Sequence, residues 1–206
     1  MDLLVQGAEY FQKGGFVMYV LLLCSVFIIA VGVERAIYFS KADSGRHFAQ
    51  QFYHLMLNHK IDEAKALARS SKGDLANLLT LAFDKMNDKN INVMNMLEIQ
   101  SGISLARFRT RLYYLNVLVT MAPLLGLLGT IAGMISAFSI FNIQEGQAIA
   151  ITGGVGEALI ATATGLCVAI ASLAIHSYFI QRIDRIVTDM EQAFSLVEGI
   201  LGRGDK

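Results

Sequence analysis

The chain has 206 residues, of which 54% are hydrophobic and 17% charged, and its mean hydropathy is +0.50. A chain this apolar is typical of an integral membrane protein and not of an ordinary soluble domain. Its 17 basic and 17 acidic residues cancel, so the net charge gives no support for nucleic-acid binding.

Three apolar runs are long enough to cross a bilayer as helices, which takes about 20 residues each. We place the transmembrane helices at 14–38, 112–141 and 148–179, joined by a short extracytoplasmic hairpin at 142–147. In residues 1–13, leucines and aromatic residues recur at helical spacing, which predicts an extracytoplasmic amphipathic segment in the membrane interface. The predicted fold class is an all-α integral membrane protein.

Residues 39–111 predict a cytoplasmic region built of helices. Apolar side chains share a face in three successive stretches, namely Phe48/Phe52/Leu55, Ile61/Ala64/Leu67/Ala68 and Leu75/Leu78/Ala82/Met86. We expect Gly73 to end one helix and Asp74 to cap the next. From about Asn92 the pattern continues into the second span, which predicts one helix of about 50 residues. The third span likewise continues into a cytoplasmic C-terminal helix at 180–206, so the spans have long cytoplasmic helical extensions.

Lysine and arginine are unevenly distributed along the chain. Twelve of the 17 lie between Arg35 and Arg111, four more follow the third span, and the connection 142–154 has none. Basic residues near the ends of spans stay on the cytoplasmic side. The N-terminus is therefore predicted outside the cytoplasm and the C-terminus inside it.

Glu157 is the only acidic residue in an otherwise uncharged stretch from Gly146 to Gln181. A carboxylate at membrane depth is costly, so it predicts an ion pathway or a partner. Thr162 and Thr130 supply hydroxyl groups that would join it in a narrow polar lining. Because Glu157 and Thr162 are about 140° apart on a helix, both border one lumen only if several chains surround it. The alternative is an interfacial glutamate that simply reaches water at the outer mouth.

Small residues follow one side of the second span and all sides of the third. The helix-packing candidates among them are Gly126, Gly129, Gly133 and Gly165. Small residues allow close helix approach in lipid, although generic packing explains the stripe equally well. A third helix this thin predicts the inner helix of a bundle or of a ring-forming homo-oligomer. Pro123 is expected to kink the second span near Thr120.

Catalytic and metal-binding signatures are missing from the sequence. There is no Gly-x-Ser-x-Gly, no His-Glu-x-x-His and no pair of intramembrane carboxylates. His47, His54 and His59 lie at spacings unsuited to a metal site. We therefore expect no enzymatic activity, no metal and no cofactor.

Two strings resemble the MotA/TolQ/ExbB proton-channel family, and its ExbB and TolQ branches most closely. One is APLLGLLGT from Ala122, followed by GMI from Gly133 and AF from Ala137. The other is GEALIATATGL from Gly156. MotA-like subunits fit less well, because they have four spans.

This resemblance implies a ring of five chains around a pore in the bacterial inner membrane, with a periplasmic N-terminus. The pore would enclose two helices from a single-span partner like ExbD or TolR, whose aspartate carries the proton. Glu157, Thr162 and Thr130 would line the pore. The implied role is a proton-driven motor that acts through a TonB-like protein on outer-membrane import. A TolQ-like role in envelope maintenance and a passive oligomeric scaffold are the alternatives, and sodium in place of protons stays open.

Overall fold

A computed structural model describes residues 15–86, 88, 91–141 and 148–204. Every regular element in these residues is an α-helix, which confirms the predicted all-α fold class. The segment 1–13, the hairpin 142–147 and the last two residues lie outside the described residues, so the expectations for them stay predictions.

The described chain forms seven helices. They are α1 (Gly15–Ala42), α2 (Arg46–Leu57), α3 (Ile61–Ser70), α4 (Asp74–Lys85), α5 (Val93–Arg109), α6 (Leu112–Phe141) and α7 (Ala148–Gly204). Contacts divide the chain into two compact units. One joins the chain up to Val33 with Arg111–Ser177, and the other joins Glu34–Thr110 with the chain from Tyr178 onward.

Three stretches of the described chain are long and apolar enough to cross a membrane, which confirms the predicted number of spans. They lie within Gly15–Leu57, Val93–Phe138 and Gly153–Ile200. With 28 and 30 residues, α1 and α6 are about 42 and 45 Å long, more than the hydrocarbon core of about 30 Å. Large apolar side chains such as Phe16, Leu124 and Leu159 are more than half exposed, as a lipid-facing surface requires.

Helices α2 to α4 bury most of the apolar faces that the sequence predicts. The buried members are Phe48, Phe52, Ala64, Ala68, Leu75, Leu78 and Ala82. The predicted capping by Asp74 is wrong, because Gly73 occupies the cap position with φ +106° and Asp74 is the first helical residue. Ser44 caps α4 instead, since its hydroxyl oxygen accepts from the Ala76 N–H at 3.1 Å. The Asp74 carboxylate accepts a hydrogen bond from the Ser104 hydroxyl of α5.

The prediction of one helix from about Asn92 into the second span is also wrong. Helix α5 ends at Arg109, Thr110 leaves the helical region at ψ 137°, and Arg111 takes a left-handed φ of +67° before α6 begins. Residues other than glycine rarely adopt that backbone conformation. The sequence around the break contains neither glycine nor proline, which is why the helical pattern gave no sign of it.

Arg35 stabilises the end of α5 that precedes this break. Its side chain is buried, its guanidinium binds the Glu34 carboxylate at 2.5 and 2.6 Å, and its Nη1 donates to the Arg107 carbonyl at 3.0 Å. The guanidinium carbon also lies 4.8 Å from the centre of the Tyr38 ring. Because the last carbonyls of a helix carry partial negative charge, this cation is favourably placed.

Asp189 on α7 makes the second unit sensitive to pH. Burial raises the pKa of Asp189, Arg46 lowers this pKa, and Asp43 raises it. The folded chain therefore holds the proton more tightly than the unfolded chain, and stability falls as pH rises from the ordinary aspartate pKa through the raised one. We expect Asp189→Asn to raise the melting temperature modestly at neutral pH and to leave it unchanged below the ordinary aspartate pKa. Circular dichroism melts at both pH values measure this, and an equal gain at both would contradict it.

Candidate ion-pathway site

Helices α6 and α7 run antiparallel and pack along a seam of small residues. Facing positions include Gly133 with Ala158, Gly129 with Ala161, Gly126 with Thr162, and Ala122 with Gly165. Position numbers rise on one helix as they fall on the other, as antiparallel packing requires. The seam positions the candidate site, because it fixes which face of α7 is turned toward α6.

The seam glycines lie so close to the facing helix that an added Cβ atom would be crowded. A Cβ atom at Gly165 would lie 2.6 Å from the Ala122 carbonyl oxygen and 3.0 Å from the Gly126 Cα. An added Cβ atom would lie 3.0 Å from Thr162 Cα at Gly126, 2.5 Å from Ala161 Cβ at Gly129 and 3.1 Å from the Gly154 carbonyl oxygen at Gly133. Helices in lipid associate through such close contact, because lipid gives no hydrophobic drive between them.

Ser172 is a seam residue that the sequence reasoning missed. Its side chain is fully buried, and its hydroxyl donates to the Leu115 carbonyl of α6 at 2.8 Å. The signal for it is present in the sequence, because Ser172 continues a stripe of buried positions at steps of three and four. The earlier members of that stripe are Ala158, Ala161, Gly165 and Val168.

The two candidate threonines bond to different partners. The Thr162 hydroxyl donates to the Gly126 carbonyl at 3.0 Å and so links α7 to α6. The Thr130 hydroxyl donates to the Leu127 carbonyl of its own helix at 2.6 Å. Both side chains are half-buried. A hydroxyl oxygen that donates its proton still accepts hydrogen bonds, so each remains able to receive one from water.

Glu157 lies against the start of α1. Its side chain is half-buried, and a carboxylate oxygen occupies the space that a Cβ atom at Gly15 would need. Gly15 is the first residue of α1 and has φ +65°. The free N–H groups of a helix start favour a carboxylate. Among the residues that the structure describes, no lysine or arginine forms an ion pair with Glu157.

The three predicted pore residues contact different partners within the chain. Glu157 contacts α1, Thr162 contacts Gly126, and Thr130 bonds within α6. Their pore-lining roles therefore stay predictions that require several chains. The described part of the chain contains no group of three His, Cys, Asp or Glu side chains able to hold a metal ion.

Pro123 lies inside α6, which is helical from Leu112 to Phe141. Proline has no N–H to donate to the carbonyl four residues earlier, that of Val119. The nearby Thr120 hydroxyl donates to the Val117 carbonyl at 2.9 Å. The expected kink stays a prediction, and its position would be near the Val119 carbonyl.

Thr162→Val is expected to weaken the seam. It removes the hydroxyl that donates to Gly126, so the free energy of unfolding should fall by about 1 kcal/mol. Thr162→Ser is the matched control, because serine keeps the hydroxyl and loses only a methyl group. Thermal unfolding of the purified protein in detergent compares the two. A loss for the serine variant equal to that of the valine variant would contradict a role for the hydrogen bond.

The fold and these contacts define an α-helical membrane protein whose third membrane helix carries a carboxyl group with no cationic partner among the described residues. The chain belongs to the MotA/TolQ/ExbB proton channel family, whose sequence model matches residues 56–192. The matched region contains helices α3 to α6 and most of the third membrane stretch. It therefore extends beyond the two strings that carry the resemblance.

Individual members of the ExbB group are similar to this chain. Identity to the biopolymer transport protein ExbB-like 1 of Synechocystis sp. is 31% over 175 residues, covering 81% of this chain and 68% of that protein. Identity to the ExbB homolog of Methanothermobacter thermautotrophicus is 25% over 190 residues, covering 89% and 66%. Identity to ExbB of Salmonella typhimurium is 35% over 71 residues, covering 34% and 29%. The matched segments thus span 68% or less of each relative.

Proposed function

We propose that the chain is the pore-forming subunit of a proton-driven motor in the bacterial inner membrane. Proton flow would be converted into force, and a single-span partner would transmit that force to TonB-dependent import across the outer membrane. Membership of a proton channel family supports the channel part of this proposal. The relatives named biopolymer transport protein ExbB support the transport part.

The observation that carries the proposal is the environment of Glu157. This carboxyl group lies in a membrane stretch, half-buried, and no cation of the described chain neutralises it. A carboxyl group at membrane depth is costly and is rarely found in a helix that only packs. A pathway that passes protons needs a group of this kind, because it can take up and release a proton in place.

The energy available from such a pathway is sufficient to move a partner. One proton that crosses a potential of 100 mV releases about 2.3 kcal/mol before any pH gradient is counted. The spans of this chain contain no aspartate. In the proposed assembly, five copies surround two helices of an ExbD- or TolR-like partner, and the partner's aspartate carries the proton past Glu157, Thr162 and Thr130.

The proposed orientation follows from the basic residues. With 12 of the 17 lysines and arginines between Arg35 and Arg111 and four beyond the third span, both regions would lie in the cytoplasm. The N-terminus would be periplasmic and the C-terminus cytoplasmic. We propose no enzymatic activity, cofactor or nucleic-acid partner.

Proton flux through the purified complex tests the function. The chain and its co-purified partner are reconstituted into vesicles that contain a pH-sensitive dye, and a potassium diffusion potential is imposed. We expect internal acidification that exceeds that of empty vesicles and does not depend on sodium. Acidification equal to that of empty vesicles would refute a channel, and flux that requires sodium would assign a different ion.

Complementation separates the ExbB-like role from the TolQ-like alternative. The chain and its partner are expressed in one bacterial strain that lacks the energising complex for TonB-dependent import and in another that lacks the Tol complex. We expect restored import in the first strain and persistent detergent sensitivity in the second. The opposite pattern would favour envelope maintenance. Restoration of neither, together with absent flux, would favour a passive scaffold.

A further inference from the structure

Helices α5 and α7 border an open groove in the second unit that the proposed pore does not use. Its volume is about 630 Å³. Met94 and Leu105 line it from α5, and Val187, Met190 and Phe194 line it from α7. Within each helix these residues are spaced so that they share one face. The groove therefore offers an apolar floor between two helices, the form into which a third helix packs.

Carboxylates flank this apolar floor. Glu98 of α5 and Glu191 and Glu198 of α7 line the groove, and all three side chains are exposed. No lysine or arginine lines the groove, and none forms an ion pair with these glutamates in the part of the chain that the structure describes. Asp184 extends the row on α7, because 184, 191 and 198 are seven residues apart and lie on one face. The groove thus suits a helix with an apolar stripe and basic flanks.

We infer that this groove receives the basic cytoplasmic flank of the single-span partner, an inference that rests on the proposed function. A protein that crosses the membrane once keeps lysine and arginine next to the cytoplasmic end of its span. The partner of the proposed motor therefore brings positive charge to the side of the membrane on which α5 and the end of α7 would lie. Apolar contact with the floor and attraction to the three glutamates would act together on such a segment.

The position of the glutamates sets how far the partner's basic residues lie from the membrane. Glu191 is 12 residues beyond Phe179, the end of the predicted third span, which corresponds to about 18 Å of helix. A helical flank would cover this distance in about 12 residues, and an extended flank in about six. The basic residues of the partner should therefore lie about 6–12 residues from its span.

Site-specific photo-crosslinking in cells that contain the full chain and its partner tests the inference. The photoreactive residue p-benzoylphenylalanine replaces Phe194 in the groove or, as a control, the exposed Leu57 of α2. After irradiation, mass spectrometry identifies the crosslinked peptide. We expect the Phe194 position to capture the cytoplasmic flank of a single-span protein, with lysine or arginine within about 12 residues of its span. The Leu57 position should capture no such peptide.

Charge variants show whether the glutamates attract the partner. The triple variant Glu98→Gln, Glu191→Gln, Glu198→Gln should lower the crosslink yield by about tenfold, equivalent to about 1.4 kcal/mol. Its matched control removes three exposed carboxylates elsewhere in the second unit, through Asp62→Asn, Glu63→Gln and Asp84→Asn. That control should leave the yield unchanged. An equal loss in both would overturn the inference.

Other outcomes assign the groove differently. A crosslinked peptide from this chain itself would make the groove an interface between copies, and a lipid adduct would make it a membrane contact; either overturns the inference. Proton flux is measured on the same membranes. If flux and a co-purifying partner are found but no groove crosslink forms, the inference is overturned and the proposed function stands. Absence of flux and of any single-span partner overturns the proposed function and the inference with it.

Discussion

Glu157→Ala is expected to abolish energised import while the complex still assembles. The alanine variant removes the carboxyl group that the third membrane stretch carries, and with it the site at which a proton can be held at membrane depth. Proton transfer by a positioned acid or base typically contributes at least about 100-fold to a rate, so import should fall to the background. Uptake of a TonB-dependent substrate, with assembly checked by size-exclusion chromatography, measures both parts.

Glu157→Gln distinguishes the proton-binding role from a structural one. In the structure the Glu157 carboxylate lies beside Gly15 at the start of α1, where the free N–H groups of a helix end favour a carboxylate. Glutamine keeps the shape and a hydrogen-bond acceptor and loses the ionisable group. Import abolished in both variants supports the pathway. Import retained in the glutamine variant would assign Glu157 a purely structural role, and full import in the alanine variant would remove the basis for the motor.

The spans and the length of α7 were predictable because their determinants are local. Hydropathy over about 20 residues identifies a span whatever its neighbours are, and α7 contains no proline that would end it. The buried stripe through Ala158, Ala161, Gly165, Val168 and Ser172 repeats at steps of three and four. Read with that period, the sequence identifies the face of α7 that packs on α6.

The break between α5 and α6 was not predictable, because it depends on contacts distant in sequence. Arg111 holds a left-handed conformation that arginine rarely adopts. The end of α5 is stabilised by Arg35, 72 residues before the Arg107 carbonyl that it binds. Likewise Ser44 caps α4 from 32 residues before Ala76. Local propensity contains no information on either contact.

The candidate site was predictable in its residues and not in its neighbours. Glu157 stands out because every other residue from Gly146 to Gln181 is uncharged. Its proximity to Gly15 depends on how α1 packs against the seam, where Val17 also lies 3.5 Å from the place of a Cβ atom at Gly129. From the sequence, a lumen or bulk water is the expected surrounding of this carboxyl group. No local feature of the sequence indicates that the start of the first membrane helix lies beside it.

Gly165→Leu is expected to prevent the membrane helices from packing. Even the Cβ atom of the new side chain would lie 2.6 Å from the Ala122 carbonyl oxygen and 3.0 Å from the Gly126 Cα. Both are backbone atoms, so relief requires α6 and α7 to separate along the seam, which also breaks the Thr162 hydrogen bond to Gly126. Overpacking of this kind costs about 3 kcal/mol. The yield of folded, assembled protein in detergent should fall severely, as measured by fluorescence-detected size-exclusion chromatography.

Gly156→Leu is the matched control, because Gly156 lies on the same helix and no atom of a facing element lies within 4 Å of the place of its Cβ. Leucine also has a higher helix propensity than glycine, by about 1 kcal/mol, so the folded chain should tolerate this change. If Gly165→Leu assembles as well as the control, close contact at the seam is not what holds α6 and α7 together. Loss of assembly in Gly165→Leu, beside loss of import without loss of assembly in Glu157→Ala, would separate a residue needed for helix packing from a residue needed for import.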